Sequence, residues 1–72
     1  MNERYILTRE DSNGKVVLSR SKSLSYLNNR MYDDWSRLLE PIKEKDPNHR
    51  RCFFVSEYAS IEGVASWSIT AE

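Results

Sequence analysis

Between residues 24 and 42 the large apolar side chains recur at steps of three and four: Leu24, Leu27, Met31, Trp35, Leu38, Leu39 and Ile42. That spacing lines them along one stripe of an α-helix. A helix with a single apolar stripe is held by what covers the stripe, so the flanking chain must supply the cover. Ser21 or Ser23 is placed to cap its start with a side-chain hydroxyl. Pro41 has no amide proton and crowds the preceding turn, so the regular helix is expected to end near Glu40, or to kink there before a last turn reaching Lys45. Pro47 closes the segment. On the face opposite the stripe, Arg30, Asp33, Asp34 and Arg37 stand three and four apart, a spacing expected of solvated ion pairs worth only about 0.2 to 0.5 kcal/mol each.

The cover reads as β-structure on both sides of the helix. Tyr5 to Glu10 and Lys15 to Arg20 are short β-rich runs separated by Asp11-Ser12-Asn13-Gly14, where Asn13-Gly14 tolerates positive φ, so they are expected to form a hairpin. Pairing Glu10 with Lys15 sets Arg9 against Val16 and Leu7 against Leu18. Tyr5, Leu7, Val16 and Leu18 then share one face, and Ile6 and Val17 lie on the other. After the loop Asp46-Pro47-Asn48-His49, two further strands are expected, Arg50 to Ser60 and Val64 to Ala71, joined by Ser60-Ile61-Glu62-Gly63 with Gly63 in the left-handed position. In the last strand Ala65, Trp67, Ile69 and Ala71 face inward, while Ser66, Ser68 and Thr70 face outward. The expected architecture is α+β with element order β-β-α-β-β: a four-stranded antiparallel sheet with one long helix packed on one face, as a single small domain over residues 1–72.

A chain of 72 residues buries only roughly 60% of its unfolded surface, so its stability margin is thin. Cys52 is the only cysteine and cannot form a disulfide within the chain, which suits a reducing compartment. No apolar run approaches the length of a signal-peptide core or a membrane span, so a soluble cytoplasmic protein without membrane contact is expected. Met1 and the lack of linkers fit a complete small gene product. Net charge is zero: residues 1–22 carry +2, 23–44 carry −1, 45–51 carry +2 and 52–72 carry −3. Affinity for nucleic acid rests on clustered Lys and Arg, and no segment forms a basic stripe, so nucleic acid is not the favoured partner.

No catalytic constellation emerges. His49 and Cys52 are three apart, but a metal site needs more ligands and the nearest, Asp46, sits in a Pro-flanked turn; a nucleophile pair would need an orienting third residue. Asp33 and Asp34 project about 100° apart on a helix and each has an Arg within a turn. The ten serines fall mostly at caps, turns and outward strand positions, where hydroxyls bond the local backbone. The protein is therefore expected to be no enzyme, with no cofactor, no metal and no small-molecule substrate. Tyr26, an aromatic on the charged helix face, either lies over Arg30 or makes a helix-face contact with a partner together with it. Asn28 is expected to bond a strand end or loop, or else a partner.

The stretch Arg51-Cys52-Phe53-Phe54-Val55-Ser56-Glu57-Tyr58-Ala59 places large apolar residues on both faces of what reads as one strand: Phe53 and Phe54 are neighbours, and Val55 and Tyr58 differ in parity. It resembles the RNA-recognition-motif consensus at Arg51, Phe53 and Tyr58, which implies single-stranded nucleic-acid binding on an aromatic sheet face by Arg50, Arg51, Phe53 and Tyr58. It departs from that consensus at Cys52 and Phe54, where the motif has small residues, and the chain has one helix where that fold has two. The chain is not assigned to the family, and nucleic-acid binding stands as the alternative. The main expectation comes from coverage. One helix covers one side of the sheet, so Ile6, Val17, Val55 and one of Phe53 and Phe54 are left on the far side, an apolar patch of the kind that marks an interface. The expected function is that of a non-catalytic accessory or adaptor protein acting by protein-protein interaction, as a homodimer or with a protein partner, through that sheet face.

Overall fold

The computed structural model describes residues 4–49 and 52–72. In chain order its elements are β1 Tyr5–Asp11, β2 Gly14–Ser21, α1 Leu24–Lys45, β3 Cys52–Val55, β4 Tyr58–Ile61 and β5 Ala65–Ala71. The strands form one antiparallel sheet in the order β2-β1-β5-β4-β3, and α1 packs on one face of it. The class is α+β with one helix, but the sheet has five strands, and the four-stranded expectation is corrected.

The correction lies in the segment expected as one strand from Arg50 to Ser60: its described part, from Cys52 onward, belongs to two strands. The chain reverses at Ser56-Glu57 and pairs Val55 with Tyr58 and Phe54 with Ala59. The turn escapes sequence reading because it contains no Gly, Pro, Asn or Asp, although Glu57 takes a left-handed φ of 69°, a conformation that costs a non-glycine residue energy. Neighbouring elements hold it there. The amide of Glu57 donates to Asn28 Oδ1 of the helix at 2.8 Å, and its carbonyl accepts from the amide of Ile69 at 3.0 Å. Asn28 Nδ2 in turn donates to the carbonyl of Leu24 at 3.0 Å, which fixes the amide's orientation. Asn28 therefore bonds a loop, as one of its two readings expected. Asn28→Ala is expected to cost about 1 kcal/mol, whereas Glu57→Gly, which removes the Cβ from the strained position, is expected to be neutral or stabilising. Urea midpoints of the two variants check this; a lower midpoint for Glu57→Gly would show that the left-handed turn carries no strain.

The first hairpin follows the expected pairing from its tip as far as a bulge. Asp11 pairs with Gly14 (φ 113°), Glu10 with Lys15 and Arg9 with Val16. Asp11 Oδ1 accepts the amide of Asn13 at 2.8 Å and tightens the turn. Between Leu7 and Thr8 the register shifts, so Leu7 faces Ser19 instead of Leu18. The extra residue lets Leu18 pack against the core while Val17 stays outward beside Thr8.

The core is one cluster: Leu7 of β1, Ala59 and Ile61 of β4, Ala65, Trp67 and Ile69 of β5, and Leu27 and Met31 of α1. The alternation of β5 is as expected, and β5, the middle strand of the sheet, carries three of these residues. Ser23 caps the helix by accepting the amide of Tyr26 at 3.1 Å. The helix continues through Pro41 to Lys45, where Lys43 and Lys45 suit the negative end of the helix dipole. The expected surface pairing of Asp34 is also corrected. Asp34 lies three residues after Met31 and four before Leu38, which places it on the apolar stripe itself. Its Oδ2 accepts from the Trp67 indole at 2.7 Å and from Arg9 Nη1 at 2.9 Å. Arg9 Nε stands 3.6 Å from Asp11 Oδ2, close enough for ionic attraction but without a hydrogen bond.

Candidate interaction surface

The face of the sheet away from α1 is set by strand pairing. One row crosses all five strands: Val55, Tyr58, Ser68, Thr8 and Val17 stand opposite one another in turn. The next row runs Phe53, Ser60, Ser66, Glu10 and Lys15, and a third runs Thr70, Ile6 and Arg20. The middle of this face is therefore hydroxyl-rich. Thr8 and Ser68 meet there with their oxygens 3.1 Å apart.

Apolar surface collects at the β3-β4 end. Phe53, Val55 and Tyr58 are 50%, 51% and 40% exposed. Phe53 and Tyr58 touch, with ring centroids 5.5 Å apart and planes tilted by 35°. Val17, exposed, and Ile6, half-buried, occupy the other end. The patch expected from sequence is thus divided, because the strand order places the hydroxyl residues of β1 and β5 between its two halves. Phe54, the fifth expected contact residue, faces the helix. Its ring meets Tyr32 edge-on at 5.3 Å and Trp35 at 5.4 Å, and Trp35 Nε1 donates to the carbonyl of Ser60 at 3.1 Å. The unresolved choice between the two phenylalanines is settled by the pairing: Phe53 is outward and Phe54 inward.

The other named positions fall apart from this surface. Arg50 and Arg51 lie outside the described residues. The described basic residues of the open face, Lys15 and Arg20, sit on β2 at the far side from Phe53, and Arg20 Nε is 3.7 Å from Glu72. Tyr26 and Arg30 are exposed on the helix. Arg30 lines a small cleft of about 50 Å³ with Leu7, Leu18, Asp33, Asp34 and Arg37. His49 approaches Asp46 at 3.9 Å, and Cys52 is half-buried on the helix side of β3. Among the described residues no three of His, Cys, Asp and Glu are grouped to hold a metal ion. A shallow hollow of about 420 Å³ between the first hairpin and the Glu62-Gly63 turn is lined mostly by polar residues, Glu10, Asp11 and Glu62 among them. No described helix is long and apolar enough to cross a membrane.

Sequence reasoning missed the sharpness of this surface because it did not place a turn at Ser56-Glu57. A signal was present: Val55 and Tyr58 differ in parity along one strand, yet a two-residue reversal sets them side by side on the same face. No family model, curated protein or solved structure matches this chain.

Proposed function

We propose that this protein is a non-catalytic interaction module whose contact surface is the aromatic end of the open sheet face, Phe53, Val55 and Tyr58, and whose simplest partner is a second copy of itself. The observation that carries the reading is the exposure of these three residues beside one another on one face of the sheet of so small a domain. Removing a large apolar side chain from water contributes about 1.5 to 3 kcal/mol, enough for a few such residues to drive modest association. A cytoplasmic setting suits the single half-buried thiol. Nucleic-acid stacking is the weaker reading, because the two rings lean on each other and the described cations of this face stand on the opposite edge.

Dilution followed by amide and methyl NMR tests the surface directly. Signals of Phe53, Val55 and Tyr58 are expected to shift with protein concentration while those of Ile6 and Val17 hold still. Uniformly concentration-independent spectra would remove self-association. Shifts at Phe53 and Tyr58 only on adding a single-stranded oligonucleotide, lost as salt rises, would favour the nucleic-acid reading.

A further inference from the structure

The two edges of the sheet differ. β2 carries Lys15 and Arg20 and interrupts its ladder with a bulge, features that discourage pairing with a further strand. β3, Cys52-Phe53-Phe54-Val55, has no charge, no proline and no bulge. The direction of its backbone groups follows from its neighbours. The Glu57 carbonyl bonds the amide of Ile69 in β5, so alternation turns the groups of Ala59 and Ile61 toward β5 and those of Tyr58 and Ser60 toward β3. Val55 and Phe53, opposite Tyr58 and Ser60, therefore bond inward, and the N–H and C=O groups of Cys52 and Phe54 point away from the sheet. Exposed apolar surface flanks this row on both layers: Phe53 and Val55 on the open face, and on the helix side Tyr32, 52% exposed, in edge contact with Phe54.

We propose that β3 pairs antiparallel with β3 of a second copy, joining the two sheets into one continuous sheet. The proposal rests on the self-association proposed above and supplies its geometry. Residues opposite one another in an antiparallel pair lie on the same face, so a two-fold axis at Phe53 sets that ring against its own counterpart on the open face. On the helix side it sets Cys52 against the second copy's Phe54. The outward groups of Cys52 and Phe54 then bond those of the second copy's Phe54 and Cys52, with no outward group of these residues left unpaired. Nothing in the strand repels a copy of itself. A four-residue strand and its flanking rings make a small interface, of the class below about 1,200 Å² that associates reversibly.

Hydrogen exchange of the full-length wild type at concentrations spanning its association is the test. The amides of Cys52 and Phe54 are expected to exchange about tenfold more slowly once roughly nine chains in ten are paired, because exchange then proceeds through the remaining monomer. Cys52→Pro, which removes an outward donor from an edge strand that tolerates proline, is expected to abolish the dimer, and Val17→Lys on the opposite edge to leave it intact. If Cys52→Pro does not fold, the wild-type exchange rates decide alone. A dimer whose Cys52 and Phe54 amides exchange at concentration-independent rates, and which Val17→Lys breaks, overturns edge pairing while leaving an open-face contact standing. A chain monomeric at every concentration overturns both. Protection appearing only on addition of a foreign extended peptide overturns the assignment of a second copy as the occupant.

Discussion

Trp67→Ala is expected to destabilise the fold by about 3 to 5 kcal/mol, which for a domain of this size leaves little or no folded protein at room temperature. Trp67 is fully buried in the middle strand of the sheet, between Arg9 of β1 and Ala59 of β4. It belongs to the same buried cluster as Leu27 and Met31 of the helix, so truncation to alanine would open a cavity in the core. The indole N–H is also spoken for, by Asp34 at 2.7 Å. Trp35→Ala should cost less, because that ring is only partly buried at the margin of the helix-sheet contact. Urea unfolding followed by circular dichroism measures both. A Trp67→Ala variant with a wild-type midpoint would mean that the inner face of β5 is assigned to the wrong side.

The second large effect is expected at Asp34, where alanine should cost about 2 kcal/mol. One carboxylate oxygen serves both the Trp67 indole and the Arg9 guanidinium, so a single truncation strands two donors inside the helix-sheet contact. The Asp34 side chain is 30% exposed, which lets water replace part of the loss and keeps the figure below that of a fully buried ion pair. Asp34→Asn keeps one oxygen able to accept both donors but loses the charge that faces the guanidinium, and should fall between wild type and alanine. Combining Asp34→Ala with Trp67→Phe, which has no indole donor, should cost less than the sum of the two changes. Strict additivity would show that the 2.7 Å contact contributes nothing.

These two residues also show how far a sequence can be read. Trp67 was legible because β5 alternates strictly, and one face of alternating apolar residues has only one place to go. Asp34 was not, since a carboxylate with arginines within a turn looks like any solvated helix position until the sheet beneath it supplies an indole and a guanidinium. The helix, its serine cap and the tip of the first hairpin depend on local chemistry and could be read. The bulge that sets Leu7 opposite Ser19 depends on how Leu18 reaches the core, a tertiary matter. The turn at Glu57 depends on Asn28, twenty-nine residues earlier in the chain, and no glycine, proline, asparagine or aspartate announces it; only the differing parity of Val55 and Tyr58 hints at a reversal.

The same turn decides the surface. With one long strand, Phe53 and Tyr58 differ in parity but their neighbours cannot be named; with the reversal at Ser56-Glu57, Phe53, Val55 and Tyr58 come together at one end of the open face. Ile6 and Val17 were rightly expected on the outward side, yet strand order keeps them away from that cluster. Order within a sheet is set by the whole chain's packing, so no pattern in either hairpin could have shown the division.

Self-association through this end of the sheet is tested most directly by sedimentation velocity of the wild type beside Val55→Asp. Val55 is half-exposed and faces away from the core, so the charge disturbs the surface without entering the interior. The expected result is a wild type whose sedimentation coefficient rises with concentration from monomer toward dimer, and a folded Val55→Asp that stays monomeric over the same range. A wild type that remains monomeric, or a Val55→Asp that associates as readily as the wild type, would contradict it.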